Sequence, residues 1–435
     1  MAEKITAFFK KLNDRKETLL PYLALSAIGY AFYNIALRFV PVDFDDLVLL
    51  SSVKNVGNPL SFFSGDWGFG NYGYRPLHSL SLWFSYKLFG VSSGPAQLIN
   101  ILLHIAVILL LYALLLRLLS EKHWAVAFVL SCLGLISLYT VSPPTWISDR
   151  PSLFVAFFLL ILLNYLARLN EDQQPRFWVL GLLSLLALIS KESGLIVPLV
   201  CLYFLVSEGG LKNRRGSLAA LLAILAAYSL LRFVIFGSNA ATYTESGYLL
   251  GRNYYANLGE LQGAARLAAY LENIVKNILA VFLPVFDGQG KFSLIGTKLN
   301  SLVVVGCTVL LWALAAGKRL TRFQKIGLVI ILANGLIHFQ LFRYRTLYLA
   351  MLGFLIFVAA SDNLKEKHFV RMAVVFLVAA VFFIWNMHML GENLDFELID
   401  RITKIRAATF EQDILATSNR IDAGIVKEII AKYRH

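Results

Sequence analysis

The chain has 435 residues, of which 58% are hydrophobic and only 15% are charged. That balance is too apolar for a water-soluble domain and indicates a protein that lies in a membrane. The net charge of +13 would suit a nucleic-acid-binding protein, but the basic residues lie in short loops between apolar segments and not on one polar face, which argues against that class.

Apolar segments close to the ~20 residues that cross a bilayer recur along the chain, separated by short polar loops, and predict an all-α polytopic membrane protein. Hydropathy predicts about eleven transmembrane helices. The segment 267–286 carries charges in its first half and Pro284 near its end, so we expect a re-entrant or interfacial helix there. The predicted spans are 19–40, 96–119, 124–142, 151–168, 177–190, 193–207, 216–236, 298–316, 324–342, 345–360 and 371–390.

The distribution of basic residues predicts the orientation of the chain. Lysines and arginines precede the first span, so we expect a cytoplasmic N-terminus. A membrane domain over 1–390 then has a long outer loop at 41–95, with an amphipathic interfacial helix at 79–88, and a second outer loop at 237–297. We expect residues 391–435 to form a short helical extracytoplasmic tail. The sequence has no Asn-x-Ser/Thr acceptor, which favours a bacterial protein of the inner membrane.

Charged residues gather in the connections that this orientation places outside. The positive-inside rule depletes outer loops of Lys and Arg, so basic residues there indicate an anionic partner. The arginine fork matches phosphate oxygens, and a lipid phosphate arriving from the bilayer is the obvious candidate. The cluster consists of Asp43, Asp45, Asp46, Arg75, His78, Arg150, Lys191, Glu192, Arg343 and Arg345.

Two carboxylates in this cluster are candidate catalytic groups. Asp45 and Asp46 repel each other, which raises one pKa toward the range of a general base. The glycine- and aromatic-rich segment that follows, with Trp67 and Tyr74, would suit a sugar ring.

Simpler alternatives exist for each feature. The charges of the first loop could be merely solvated, and Asp46 could form a structural ion pair with Arg75. Lys191 and Glu192 could neutralise each other in a turn. His104 and His338 have no second ligand at metal-binding spacing on their helices, so we expect buried hydrogen-bonding groups.

The order of these motifs resembles glycosyltransferase superfamily C, and most closely the transmembrane O-mannosyltransferases that carry tetratricopeptide repeats. Two departures are Val141-Ser142-Pro143-Pro144-Thr145-Trp146, where the family has His-Pro and an acidic residue, and the absence of the repeats. The matching segments are Phe44-Asp45-Asp46, Tyr74-Arg75-Pro76-Leu77, Asn100-Ile101-Leu102-Leu103-His104, Arg150, Ser190-Lys191-Glu192 and Arg345-Thr346-Leu347-Tyr348-Leu349.

The resemblance implies a polyprenyl-phosphate-linked sugar as donor, an inverting transfer on the extracytoplasmic face, and Asp45 as catalytic base. It also implies that the leaving phosphate is held by a set of basic residues, namely Arg75, Arg150, Lys191 and Arg345. From the outer cluster we add Asp46 as a second catalytic candidate and Arg343 as a further phosphate ligand. Further site candidates are Tyr74, His78, Glu192, Trp67 and Tyr348.

The acceptor would be a hydroxyl on a protein, a lipid or a glycan. A divalent metal ion shared by Asp45, Asp46 or Glu192 and the phosphate is compatible with this scheme but not required by it. Two other functions stay open. One is a polysaccharide polymerase or ligase that uses lipid-linked glycans, and the other is a transporter or flippase of anionic lipid-linked sugars.

Overall fold

The computed structural model describes residues 16–64, 74–169, 173–207, 215–231, 263–282, 306–307, 309–311, 313, 315, 319–339, 342–365, 369–417 and 421–433. These residues are mostly helical and include no strand, so the prediction of a helical protein is confirmed for this part of the chain. The longer helices are α1 (Lys16–Tyr33), α2 (Phe44–Lys54), α3 (Pro76–Phe89), α4 (Ser93–Leu119), α5 (Trp124–Leu135), α6 (Arg150–Leu166), α7 (Phe177–Leu188), α8 (Ile196–Ser207), α9 (Arg215–Leu230), α10 (Gly263–Phe282), α11 (Arg322–Ile337), α12 (Tyr348–Ala359), α13 (Phe369–Arg406), α14 (Phe410–Thr417) and α15 (Ala423–Tyr433).

Three helical segments in the described part are long and apolar enough to cross a membrane, namely Leu19–Arg38, Ser93–Leu119 and Ile147–Leu166. Shorter apolar helices correspond to α5, α7, α8, α9 and α12. The count of about eleven spans is therefore not confirmed. Hydropathy overestimated several lengths because it does not register where a helix gives way to a turn, as α7 does at Leu188. Most of the predicted span at 298–316 lies outside the described residues.

The apolar core is built around α4, which packs against α1, α5 and α6. The helices α11 and α12 meet at two glycines, where a Cβ atom on Gly327 would lie 2.6 Å from the carbonyl oxygen of Gly353. Small residues of this kind let helix backbones meet inside a membrane. The buried His104 is hydrogen-bonded within the core, through Nδ1 to the Tyr348 hydroxyl at 2.7 Å and through Nε2 to the Leu135 carbonyl at 3.0 Å.

The helices α2 and α3 form the first long loop, between α1 and α4. The predicted amphipathic helix at 79–88 is part of α3, which begins at Pro76 and ends at Phe89. A second helix in this loop, α2, was not predicted. Asp45 and Asp46 lie in its first turn, where carboxylates interact favourably with the helix dipole.

The predicted tail begins inside a helix. The last predicted span, 371–390, is part of α13, which runs for 38 residues without interruption from Phe369 to Arg406. Two shorter helices follow, and the final helix, α15, packs against α2. In the second long loop, α10 covers the first part of the predicted re-entrant helix, and the residues 283–297 lie outside the described part.

Candidate active site

Asp45 lies at the N-terminal end of α2 and is partly exposed. Burial is the largest influence on its carboxyl group and raises the pKa above the usual value. The Arg345 guanidinium opposes that shift, Asp43 adds to it, and Arg75 and Arg343 also lower the pKa. Separate segments of the chain thus bring Asp45 into the field of Arg75, Arg343 and Arg345, all of them predicted site residues.

Asp46, the second predicted catalytic residue, is buried, with only 1% of its surface exposed. Its Oδ1 atom accepts hydrogen bonds from the backbone N–H of Ser148, at 3.2 Å, and from the Ser148 hydroxyl. Its Oδ2 atom lies 3.9 Å from Nη1 of Arg401. Burial, followed by the charge of Asp43, raises the pKa of Asp46 to about 7. This placement favours a supporting role over contact with substrate.

Arg75 forms an ion pair with Glu192. Its Nε and Nη2 atoms both donate to Oε2 of Glu192, at 3.0 and 2.7 Å. Arg75 is 7% exposed and Glu192 is partly exposed, so this pair lies at the edge of the buried region. The alternative pairing of Arg75 with Asp46 is therefore not observed.

Lys191, next to Glu192 in the chain, has a different acidic partner. Its Nζ atom lies 3.1 Å from Oδ1 of Asp149 and donates to the Ser152 hydroxyl at 2.7 Å. Burial lowers the pKa of the Lys191 ammonium, and the Asp149 carboxylate is the largest influence that opposes this. Lys191 and Glu192 therefore do not neutralise each other, and the alternative of a self-neutralised turn is wrong.

Arg345 lies over the face of Trp146, with its guanidinium carbon 4.4 Å from the ring centroid. A cation over an aromatic face is attracted by the ring quadrupole, which restrains the arginine without using its N–H groups. Arg345 is partly exposed. The N–H groups of the Arg345 guanidinium can therefore donate to a ligand.

Arg150 has a different environment from the other predicted phosphate ligands. It is fully buried, and it donates from Nε to Asn100 Oδ1 at 2.6 Å and from Nη2 to the Ala96 carbonyl at 3.0 Å. Its Nη1 atom donates to the hydroxyls of Ser81 and Ser85, at 3.1 Å each. These bonds tie α6 to α3 and α4, which favours a structural role for Arg150 over phosphate binding.

The remaining candidates are divided between the site and the core. His78 is fully buried, and its pKa is lowered well below the usual value by burial and then by the charges of Arg150, Arg75 and Lys191. The Tyr74 hydroxyl donates to the Phe63 carbonyl at 3.3 Å. Tyr348 lies in the helical core, bonded to His104, and Trp67 lies outside the described residues.

Four residues of this region were missed by the sequence analysis: Trp146, Ser148, Asp149 and Arg401. Trp146, Ser148 and Asp149 immediately precede Arg150, and the departure of this segment from the family pattern was the signal that could have drawn attention to them. Arg401 gave no signal, because it is one of many charges in the tail.

The sequence left open a divalent metal ion shared by Asp45, Asp46 or Glu192 and the phosphate. Among the described residues, no group of three or more His, Cys, Asp and Glu side chains is arranged to hold an ion. Asp46 and Glu192 already accept hydrogen bonds from Ser148 and Arg75. A divalent metal ion on these carboxylates therefore stays a hypothesis drawn from the sequence.

Comparison with known proteins supports the resemblance drawn from the motifs. Residues 75–243 match the family described as dolichyl-phosphate-mannose-protein mannosyltransferase. A protein O-mannosyl-transferase of Caenorhabditis elegans is 28% identical over 240 residues, which are 52% of this chain. The chain spans only 33% of that relative's length. No solved structure matches. These findings confirm the chain's resemblance to the glycosyltransferases of superfamily C, and within it to the protein O-mannosyltransferases.

Proposed function

We propose that the chain is an integral-membrane inverting glycosyltransferase that moves a sugar from a polyprenyl-phosphate carrier to an acceptor hydroxyl. The observation that carries this proposal is the position of Asp45. It is a partly exposed carboxylate at a helix start, within the electrostatic field of Arg345, Arg75 and Arg343 from separate chain segments. None of the hydrogen bonds and ion pairs between described residues uses the Asp45 carboxylate, so it is available to accept a proton.

In the proposed reaction, Asp45 removes the proton from the acceptor hydroxyl as that oxygen attacks the anomeric carbon. The attack comes from the face opposite the phosphate, so the configuration at this carbon inverts. The bond between the anomeric carbon and the phosphate oxygen breaks, and its electron pair leaves with the polyprenyl phosphate. A raised pKa makes the Asp45 carboxylate a stronger base for this step.

The leaving phosphate would be met by the basic residues around Asp45. Arg345 and Arg343 are the best placed to bind the phosphate, since the charge of each lowers the pKa of Asp45 and both side chains are partly exposed. Arg75 and Lys191 would add charge, each oriented by its acidic partner. Fixed positive charges at the point where negative charge develops are often the largest contribution to catalysis.

The names of the matched proteins favour particular substrates for a first test. The name of the matched family contains dolichyl-phosphate-mannose, which we take as the donor, and the names of the family and the relative both contain protein, which we take as the acceptor. Lys and Arg are concentrated in alternate loops, which the positive-inside rule places in the cytoplasm, and this supports a site on the extracytoplasmic side. The polymerase or ligase alternative predicts transfer to a glycan, and the transporter alternative predicts donor movement without bond cleavage.

The test is a transfer assay with the purified full chain in nanodiscs. Radiolabelled dolichyl-phosphate-mannose is incubated with a peptide rich in serine and threonine, and both mannosyl peptide and free dolichyl phosphate are measured. We expect Asp45→Asn to reduce both by about 10²–10⁴-fold, as the loss of a general base does. The control is Asp395→Asn, which changes an exposed carboxylate on α13.

The outcomes separate the alternatives. Equal rates for the native chain and folded Asp45→Asn would remove Asp45 from the mechanism. Uptake of the donor into vesicles without release of dolichyl phosphate would support a transporter instead. Transfer to an added glycan but not to peptide would favour the polymerase or ligase.

A further inference from the structure

Arg401 connects the tail to the start of the helix that carries Asp45. It lies on α13, is only 3% exposed, and donates from Nη1 to the Val40 carbonyl at 3.0 Å. Its Nη2 atom pairs with the carboxylate of Asp43, the residue immediately before α2. One guanidinium thus binds two residues of the segment that leads into α2.

The remaining faces of the Arg401 guanidinium are also occupied. Its Nε atom donates to Glu397 at 2.8 Å, one turn earlier on α13. Its guanidinium carbon lies 5.1 Å from the centroid of the Phe39 ring. Because Arg401 is held on several sides, it restrains the residues it contacts and does not act as a mobile surface charge.

The last helix of the tail, α15, also packs against α2. The buried side chains of Val426 and Ile429 on α15 share an apolar cluster with Leu47 and Val48 of α2. At the far end of α2, Lys54 forms ion pairs with the carboxylates of Asp422, at 3.1 Å, and Glu428, at 3.3 Å. The backbone N–H of Asp422 also donates to the Ser51 hydroxyl at 2.9 Å. The tail therefore contacts Asp43, which precedes α2, and residues of α2 as far as Lys54.

We propose that Arg401 is a positioning residue for Asp45: by holding Val40 and Asp43, it fixes the first turn of α2 and the direction of the Asp45 carboxylate. The inference rests on the proposed function, in which Asp45 is the base. It extends the catalytic unit to the C-terminal tail, which lies beyond the family match at 75–243. Arg401 does not contact the donor in this scheme; it acts through α2.

The proposal predicts a specific kinetic change. A misplaced catalytic group lowers the rate of the chemical step, whereas the donor phosphate is still held by its own cations. We expect Arg401→Ala to lower kcat for mannosyl transfer by about 10- to 100-fold, with the donor KM changed by less than about twofold. Arg401→Lys should recover part of the loss, since it keeps the charge but lacks the fork that reaches several partners.

A second measurement does not depend on activity. Hydrogen–deuterium exchange of a peptide that covers α2 should be faster in Arg401→Ala than in the native chain, with the largest change in the first turn. The matched control is Arg406→Ala, an exposed arginine on the same helix, which should leave both kcat and exchange unchanged. Asp43→Asn combined with Arg401→Ala should lose less activity than the sum of the two single losses, because both changes break the same contact.

The results distinguish this inference from the proposed function. If the native chain transfers no sugar, the proposed function fails, and the exchange experiment still decides whether Arg401 holds α2. If the native chain is active while Arg401→Ala has native kcat and native exchange in α2, the positioning role is overturned. A rise in donor KM with unchanged kcat would also overturn it, since it would place Arg401 in donor binding.

Discussion

Arg75 donates to a single oxygen of Glu192 through two different nitrogens, Nε at 3.0 Å and Nη2 at 2.7 Å. The pair joins the start of α3 to the turn that precedes α8. It therefore fixes the direction of one phosphate-binding candidate by a contact between segments that are 117 positions apart in the chain. Hydrogen bonds between ionised partners are stronger than neutral ones, so this contact should be measurable.

Replacing Arg75 by lysine is expected to destabilise the protein by about 1–3 kcal/mol, because an ammonium group cannot present two N–H groups in the fixed fork that meets Glu192. The measurement is the free energy of unfolding for Arg75→Lys, Glu192→Gln and the double variant. We expect the double variant to lose clearly less than the sum of the single losses, because both single changes break the same contact. Strictly additive losses would mean that the two side chains are not coupled.

Asp149→Asn should shift the pH dependence of donor binding. Burial already lowers the pKa of Lys191, and the Asp149 carboxylate opposes that shift. Without this carboxylate the pKa of Lys191 falls further, so the ammonium loses its proton at a lower pH. Donor KM, measured from pH 6 to 10, should therefore begin to rise at a lower pH than in the native chain. The control is Asp400→Asn, whose partner Lys404 is exposed, and an alkaline limb identical to the native one would contradict the prediction.

Hydropathy predicted the helical class, because it depends on sequence composition alone. The positive-inside rule grouped charged residues of several loops into one predicted site, and the charges of Arg75, Arg343 and Arg345 do act on Asp45. Neither rule predicted which acid pairs with which base. Lys191 has an extended backbone, at φ −164° and ψ 156°, and Glu192 begins a short 3₁₀ turn. Neighbours in such a conformation point apart, so Lys191 turns to Asp149 and Glu192 to Arg75, although their adjacency suggested a self-neutralised pair.

The contact of Arg401 with Asp43 illustrates a second limit of the sequence. The two residues are 358 positions apart, and nothing in the local pattern around either one indicates the other. Arg150 illustrates a third limit of the sequence. The order of the motifs suggested a phosphate ligand, but in the structure Arg150 donates to hydrogen-bond acceptors on α3 and α4. Its burial depends on how three helices meet, and helix packing is not encoded in any single motif.

The raised pKa of Asp46 predicts that the free energy of unfolding depends on pH. Its pKa is raised from 3.8 to about 7 in the folded protein, so between these two values the folded state binds more protons at this group than the unfolded state does. The contribution of Asp46 to the free energy of unfolding must then fall as pH rises through this range and level off above it. We expect the unfolding temperature of Asp46→Asn to fall less steeply between pH 4 and pH 7 than that of the native chain. Equal slopes would show that Asp46 titrates near its ordinary value, and Asp395→Asn should keep the native slope.

Arg150→Met separates structural support from phosphate binding. The substitution leaves Asn100 Oδ1 and the Ala96 carbonyl without their donor, and unsatisfied buried acceptors should cost about 3 kcal/mol or more of stability. Donor KM of the folded variant should stay within about twofold of the native value, whereas Lys191→Met should raise it severalfold. Thermal unfolding and donor titration of both variants in nanodiscs provide the comparison. If Arg150→Met keeps native stability and loses donor affinity, Arg150 binds the phosphate, as the resemblance implied, and the helix-joining role assigned to it here is wrong.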